Sequence, residues 1–484
     1  MFSPFPPSTH VTGRTGRMNE AMLIAGQRVG ARESFDVVDP ATGKVFASAP
    51  DCSEEQLETA IEAAARAFIP WSRDHGARRR VLIACAEKVR AHAEELGRLI
   101  CREQGRPLPK AIGEVMGAAR WFEHTAGLDL PVEVIRDDDA MHVSVHRRPL
   151  GVVAGIAPWN YPVISAVWKI APALLAGNTM VLKPSPFTPI ATLRLGALLQ
   201  DVIPAGVLTI VSGGDALGRA LAAHPAIRKV SLTGSVEAGK SVAGAAAADL
   251  KRITLELGGN DAAIVLDDVQ PEAIADKLFW GAFQNTGQVC CAIKRLYVHE
   301  DVYEPVKAAL IARIAAARIG NGFDDGVDLG PISTAPQWTR VQELAEDARR
   351  AGGTLHGDAA LPEAGGYFMA PQLVTGLDDR ARLVAEEQFG PLLPILSFRD
   401  EAEVLARANA THFGLSGSVW SGRPERAAEL AGAMDCGTVW VNQHLALMPI
   451  APVGGHKWSG IGVENGSWGL ATYTDLQTLS VAKA

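Results

Sequence analysis

The 484-residue chain lacks the marks of several large protein classes. It has no block of basic residues and no heptad run, and its formal charge is −8, so neither nucleic acid nor an anionic membrane is an expected partner. Its six cysteines form no CxxC pair, and a chain of this length needs no disulfide staples; a reducing cytoplasm suits it, and no metal site is expected. No repeat or low-complexity segment is present. The most apolar region, 151–182, is interrupted by Pro158, Asn160, Pro162, Lys169 and Pro172, which marks it as buried core and not as a membrane span. Residues 1–17 are rich in Pro, Ser, Thr and Gly and lack the apolar core of a signal peptide; they are expected to fray, with Met18 an alternative start.

What is present is ordinary for a globular enzyme: 48% hydrophobic and 21% charged residues. The length exceeds the roughly 250–300 residues at which one core stops growing, so at least two domains are expected. Ser53 and Gln56 read as a capping box, followed at helical spacing by Leu57, Ile61, Ala64 and Phe68. Two further helices are expected over about 78–103 and 109–125.

From residue 151 short β-branched runs alternate with helical stretches: 152–156, 180–182, 208–211, 229–232, 253–257 and 262–266. This is the texture of an α/β fold, βαβ units around a parallel sheet covered on both faces. Ligands of such sheets sit beyond the carboxyl ends of the strands. That rule selects Pro158, Trp159, Asn160, Lys183, Gly213, Gly214, Thr233, Gly234, Ser235 and Glu256. Residues 142–148 and 473–481 alternate like half-exposed strands, which often pair with a neighbouring subunit.

Residues 234–241 match the P-loop pattern GxxxxGK[ST], between an expected strand and an expected helix, and the run Ala263 to Asp267 resembles a Walker B strand. A nucleoside triphosphatase is therefore the rival reading. Asp267 follows Lys240 by only 27 residues, short for a crossover plus another strand, and the reading leaves Glu256 and Cys290 without a role.

Cys290 and Cys291 follow a Gly287-Gln288 turn; a free cysteine is usually a small buried hydrophobe, and an adjacent pair near such a turn is less ordinary. Glu256 ends an apolar strand between Leu255 and Leu257, where desolvation raises a carboxyl pKa toward general-base territory.

The run Leu255 to Asn260 and the run Phe283 to Cys290, whose Glu256 and Cys290 stand 34 residues apart, resemble the two signature motifs of the aldehyde dehydrogenase superfamily. Pro158-Trp159-Asn160, Lys183-Pro184-Ser185, Thr233-Gly234-Ser235, the run Glu387 to Pro391 and the run Ser459 to Gly462 match as well, and the resemblance extends from about residue 20 to the C-terminus. It implies a variant Rossmann-type NAD(P)-binding domain without a GxGxxG loop (1–128 and 150–258), an α/β catalytic domain (259–452) and a β-strand oligomerisation arm (129–149 and 466–484) in a homodimer or homotetramer.

The same resemblance implies roles. Cys290 is the nucleophile, Asn160 with the Cys290 N–H the oxyanion hole, Glu256 the base that hydrolyses a thioester, and Lys169 with Glu464 a proton relay or a plain ion pair. Ile156, Pro158, Trp159, Lys183, Ser185, Gly213, Gly234, Ser235, Leu257, Glu387 and Phe389 would hold the dinucleotide. Pro186 stands where strictly NAD-using members often carry Glu, so NAD is expected with NADP also accepted. Tyr161, Ser165, Trp168, Gln284, Val289, Cys291, Leu447 and Val453 would line the aldehyde's path, a lining that suits a neutral aromatic or medium aliphatic aldehyde. A non-catalytic relative is disfavoured because Cys290, Glu256 and Asn160 are all intact.

Overall fold

The computed structural model describes residues 18–362 and 365–483. The expectations for residues 1–17 lie outside that range. Two sheets dominate. The first has eight strands in the spatial order Gly460–Ile461, Arg252–Glu256, Ile227–Thr233, Val152–Ile156, Thr179–Lys183, Leu208–Ile210, Met22–Ile24 and Gln27–Val29. Its five inner strands, from Arg252–Glu256 to Leu208–Ile210, run parallel, and the outer ones are antiparallel. Helices Glu54–Arg73, Pro162–Ala176 and Val236–Ala247 cover it, so strands such as Val152–Ile156 and Thr179–Lys183 are almost wholly buried and read as continuous apolar runs. The capping box forms as the sequence predicts: Ser53 Oγ accepts from Gln56 N, and Gln56 Oε1 accepts from Ser53 N.

The second sheet has seven strands, ordered Thr354–His356, Gln372–Thr375, Leu392–Phe398, Ile293–His299, Asp261–Val265, Ser416–Trp420 and Thr438–Val441. The 262–266 run therefore belongs to a different sheet from the other five expected strands. The reason is chain length: four residues, 257–260, separate it from Arg252–Glu256, while a parallel neighbour needs a crossover of about a dozen. A third sheet joins Thr474–Ala482, Met141–Pro149 and Glu133–Asp137, all antiparallel, and it exposes Val134, Ile135, Leu476, Leu479 and Val481.

One helix expectation needs correction. The 78–103 stretch is two helices, His75–Ala91 and Ala93–Gln104, parted at His92 (φ −112°, ψ 23°), whose Nδ1 lies 2.9 Å from the Lys88 carbonyl. The ring meets the carbonyl end of the first helix while the chain turns. Apolar spacing does not reveal the break because both pieces pack on Leu108–Ala126.

Asn178 ties these parts together. Its Oδ1 accepts from Leu150 N (2.7 Å) and Gly151 N (3.1 Å), and its Nδ2 donates to Ala173 O and to Tyr473 O, at the root of the C-terminal strand. Each buried backbone group left unsatisfied costs about 1–3 kcal/mol. Asn178→Ala should therefore lower Tm by several degrees in calorimetry; an unchanged Tm would mean that water replaces the amide.

Candidate active site

The inner strands order themselves outward in both directions from Val152–Ile156: Thr179–Lys183 and Leu208–Ile210 lie on one side, Ile227–Thr233 and Arg252–Glu256 on the other. The chain thus reverses its winding between Val152–Ile156 and Ile227–Thr233, a topological switch point with a crevice at the carboxyl ends. Pro158, Trp159 and Asn160 follow one of these strands; Gly234 and Ser235 follow the other. Ser235 caps the Val236–Ala247 helix by accepting from Ala238 N, so the first N–H groups of that helix face the crevice end of the sheet.

The P-loop reading fails here. The Lys240 ammonium sits 3.9 Å from the Trp458 ring centroid, and Asp267 follows a strand of the other sheet and pairs with Arg426. The lysine and the aspartate that the pattern requires therefore do not converge on the Gly234 turn.

Glu256 is the last residue of its strand and is 6% exposed, with Oε1 buried and without a hydrogen-bond partner. Burial raises its pKa well above the ordinary carboxylate value; the charge of Glu464 adds to this and Lys169 opposes it. Lys169 Nζ donates to Glu464 Oε1 and to Thr233 Oγ1, both at 2.7 Å, and Ser231 Oγ donates to Glu464 at 3.0 Å, so the two residues form a buried ion pair behind Glu256.

Cys290 reaches the crevice from the second sheet, on the loop before Ile293–His299. That loop is strained: Asn285, Thr286 and Gly287 take φ of 55°, 59° and 74° in succession, a conformation that costs a non-glycine residue about 1–3 kcal/mol. Glycine is required at 287, where a Cβ would lie 2.2 Å from the Gly390 carbonyl. A hydrogen bond from the Cys291 thiol lowers the Cys290 pKa, helped by the Lys294 charge, while burial opposes the shift; Cys291 is itself pushed well up as the donor. Lys294, buried, donates to the Val289 and Cys290 carbonyls and lies 3.4 Å from Glu387. Asn160 Nδ2 donates to Gln288 O at 3.0 Å, which leaves its second N–H free for a ligand.

Cys290, Glu256 and Asn160 line one cavity of about 150 Å³ with all eight expected tunnel residues, Tyr161, Ser165, Trp168, Gln284, Val289, Cys291, Leu447 and Val453. No lysine or arginine lines it among the described residues. Sequence reasoning missed Trp121 and Trp440. Trp121 stacks on Trp168 with centroids 5.5 Å apart and donates to Asn465 Oδ1. It also missed Arg106, whose buried guanidinium binds Glu114, Asn285 Oδ1 and the Asn160 carbonyl, so that one side chain ties the Asn160 loop to the Cys290 loop. Glu114 in turn accepts from Val163 N and Ile164 N at the start of the following helix.

None of the expected dinucleotide residues lines this cavity; most lie at or after the carboxyl ends of the first sheet's strands, and Glu387 and Phe389 lie before Leu392–Phe398. Lys183 ends its strand 3% exposed, its ammonium making one long bond (3.3 Å) to the Pro184 carbonyl. Ile156 ends the neighbouring strand, Ser185 accepts from Phe187 N, and Trp159 meets the Phe389 ring edge-on at 5.3 Å. Glu387 accepts from Gly259 N and lies where a Gly258 Cβ would stand, 2.1 Å from Oε2. Gly239 admits the Leu257 side chain, at 2.5 Å from a would-be Cβ, and so seats the helix on the strand. A buried ammonium, a helix N-terminus and a carboxylate suit the riboses and pyrophosphate of a dinucleotide.

A thiol with a lowered pKa and a base-like carboxyl facing one cavity, at the mouth of a dinucleotide-type sheet, define a thiol-dependent oxidoreductase. The chain belongs to the aldehyde dehydrogenase family, which matches residues 28–479, and is an oxidoreductase acting on aldehydes. It is 38% identical to a phenylacetaldehyde dehydrogenase of Pseudomonas fluorescens over 96% of both chains. Among solved structures it is similar to a mutant aldehyde dehydrogenase from Bacillus cereus (TM-score 0.94, 32% identity, covering 96% of this chain and 97% of that one). It is likewise similar to betaine aldehyde dehydrogenase from Staphylococcus aureus in complex with NAD+ (TM-score 0.93, 32% identity, 96% and 95% covered). Among the described residues, no helix is long and apolar enough to cross a membrane and no side-chain group could hold a metal ion.

The thiol pair yields a prediction. Cys290 should be alkylated by iodoacetamide with a midpoint below the usual thiol pKa of about 8.5. Cys291→Ala removes the S–H donor and should raise that midpoint while most turnover survives; an unmoved midpoint would assign the lowering to Lys294 instead.

Proposed function

We propose that the protein oxidises a neutral aromatic or medium-chain aliphatic aldehyde to its acid with NAD, through a thiohemiacetal and then a thioester on Cys290 that Glu256-activated water hydrolyses. The observation that carries this reading is the unpartnered, buried Oε1 of Glu256, lining the same cavity as the Cys290 thiol. The Cys290 thiolate attacks the aldehyde carbon, and the oxyanion that forms accepts from the free N–H of Asn160 and from the Cys290 backbone N–H. When bound, NAD accepts the hydride that leaves this adduct. Glu256 then takes the proton of a water as its oxygen attacks the thioester carbon, and Cys290 leaves as thiolate. Lys169 and Glu464 stand one step behind to relay that proton; the same pair also serves as a plain structural ion pair.

Lys183, with Ser185 and Gly213, holds the adenosine ribose; Gly234 and Ser235 hold the pyrophosphate; Glu387 holds the nicotinamide ribose. Phe389, Trp159, Pro158, Ile156 and Leu257 wall the nicotinamide end. This reading goes with a three-part division of the described residues: a dinucleotide domain (18–128 and 150–258), a catalytic domain (259–452) and an arm (129–149 and 466–483). The exposed apolar side chains of the arm sheet suit a homodimer or homotetramer, and such edges are an aggregation liability when bare. The free cysteines suit a cytoplasmic enzyme.

The name of the phenylacetaldehyde dehydrogenase relative supports an aromatic substrate, as do the Trp121, Trp168, Trp440 and Tyr161 rings. Those same rings favour a second reading, a trimethylammonium aldehyde held by cation–π contacts. Against it, Glu256 is the one Asp or Glu among the described residues lining the cavity.

Three outcomes are expected. Glu256→Gln keeps the shape but accepts no proton, so stopped-flow should record a burst of NADH of up to one equivalent per site and a steady rate reduced at least about a hundredfold. Undiminished turnover would move the base to Glu464. Because the base works ionised and its pKa is raised, wild-type turnover limited by deacylation should climb with pH above the ordinary carboxylate range, and Glu256→Gln should flatten that limb. In a substrate panel, kcat/KM for phenylacetaldehyde should exceed that for betaine aldehyde; the reverse order would favour the aromatic-cage reading.

A further inference from the structure

The adenosine end of the crevice carries charge that does not come from the Lys183 loop. That loop continues Pro184, Ser185, Pro186 and Phe187, with no acidic residue. Two carboxylates arrive from elsewhere: Asp51, the last residue of the Lys44–Asp51 strand, and Asp215, the first of the Asp215–Ala223 helix. Asp51 is fixed in place from both sides. Cys52 N donates to the Ser212 carbonyl at 2.9 Å, and Ser212 Oγ donates to the Pro50 carbonyl at 2.6 Å. Its Oδ1 lies 2.8 Å from where a Gly213 Cβ would stand, so glycine at 213 makes room for the carboxylate. The stem of Lys183 runs beside Gly218, inside the helix that Asp215 opens, at 3.8 Å from a would-be Cβ. Burial pulls the Lys183 pKa down to about 8, and the charges of Asp215 and Asp51 oppose that fall.

We propose that Asp51, backed by Asp215, is the residue through which this enzyme prefers NAD to NADP: its carboxylate accepts from the adenosine 2′-hydroxyl and repels a 2′-phosphate. The inference rests on the NAD reading above. The two cofactors differ by one phosphate monoester, about −1.5 to −2 in charge at pH 7. Placed beside one ammonium and two exposed carboxylates, that group meets net repulsion, which salt screens in part. Lys183 still attracts it, so NADP is used, but at lower efficiency. Pro186 therefore leaves no gap in the charge pattern, since Asp51 supplies from another strand what the loop lacks.

Calorimetric titration of the whole protein with NAD and with NADP, without aldehyde, tests this. Wild type should bind NAD more tightly. Asp51→Asn, which keeps the shape of an exposed side chain, should improve the NADP-to-NAD affinity ratio by at least about tenfold, with a smaller change at high salt as screening predicts. Adding Pro186→Glu to that variant should return the ratio toward wild type. An unchanged ratio in Asp51→Asn, with NAD still bound, would overturn the role of Asp51 and leave the NAD reading standing. A wild type that binds NADP as tightly as NAD would also overturn it. A wild type that binds neither would remove both.

Discussion

A carboxyl oxygen without a protein hydrogen-bond partner is costly to bury, and Glu256 Oε1, beside the cavity, is such an oxygen. Most of the site's architecture serves to keep it there. The strand that ends at Glu256 is pinned on one side by Ile227–Thr233 and on the other by Gly460–Ile461, and Leu257 N donates to Ser459 O just beyond. Behind it, the Lys169–Glu464 pair sets the local field without quenching the free oxygen, because the two charges engage each other, Thr233 and Ser231. Replacing such a group with an apolar residue of similar volume would suit stability better. Its presence is a statement about chemistry.

The nucleophile is held at a comparable cost in stability. Three consecutive left-handed residues precede it, one of them the β-branched Thr286, and the surrounding structure overdetermines the turn. Thr286 Oγ1 donates to Gly330 O, Gln288 Nε2 to Asn285 O, and Lys294 to the Val289 and Cys290 carbonyls. Arg106 then links this turn to the Asn160 loop of the other sheet, alongside the direct bonds from Asn160 Nδ2 to Gln288 O and from Asn285 Nδ2 to Asn160 O, so thiol and oxyanion donor are held together by several buried contacts. Strain at the cysteine and an unsatisfied carboxylate opposite it are two burdens that a purely structural relative would have no reason to keep.

Much of this was legible in the sequence. Strands buried on both faces announce themselves as apolar runs, and the residues at or just past their carboxyl ends can be numbered from the amino-acid order alone: Asn160, Lys183, Ser235 and Glu256 all fall there. What was not legible depends on contacts between distant segments. Arg106 and Asp51 look like any charged residue near a turn, because 54 and 132 residues separate them from Asn160, which Arg106 holds, and from Lys183. Trp121 gives no sign that it faces Trp168. The break at His92 hides inside an unbroken apolar period. The P-loop pattern is the converse case. A Gly-rich turn at a helix N-terminus is a genuine anion site, but the letters do not say where the lysine points, and here Lys240 turns to Trp458.

Everything proposed for the chemistry requires the acyl group to pass through Cys290. The most direct test is peptide mass spectrometry of Glu256→Gln, quenched in acid after one turnover with NAD and phenylacetaldehyde. The expected result is the mass of the phenylacetyl group on the peptide that carries Cys290 and Cys291, with fragment ions placing it on Cys290. Unmodified Cys290 in a variant that has released NADH, or an acyl group on Cys291, would contradict it.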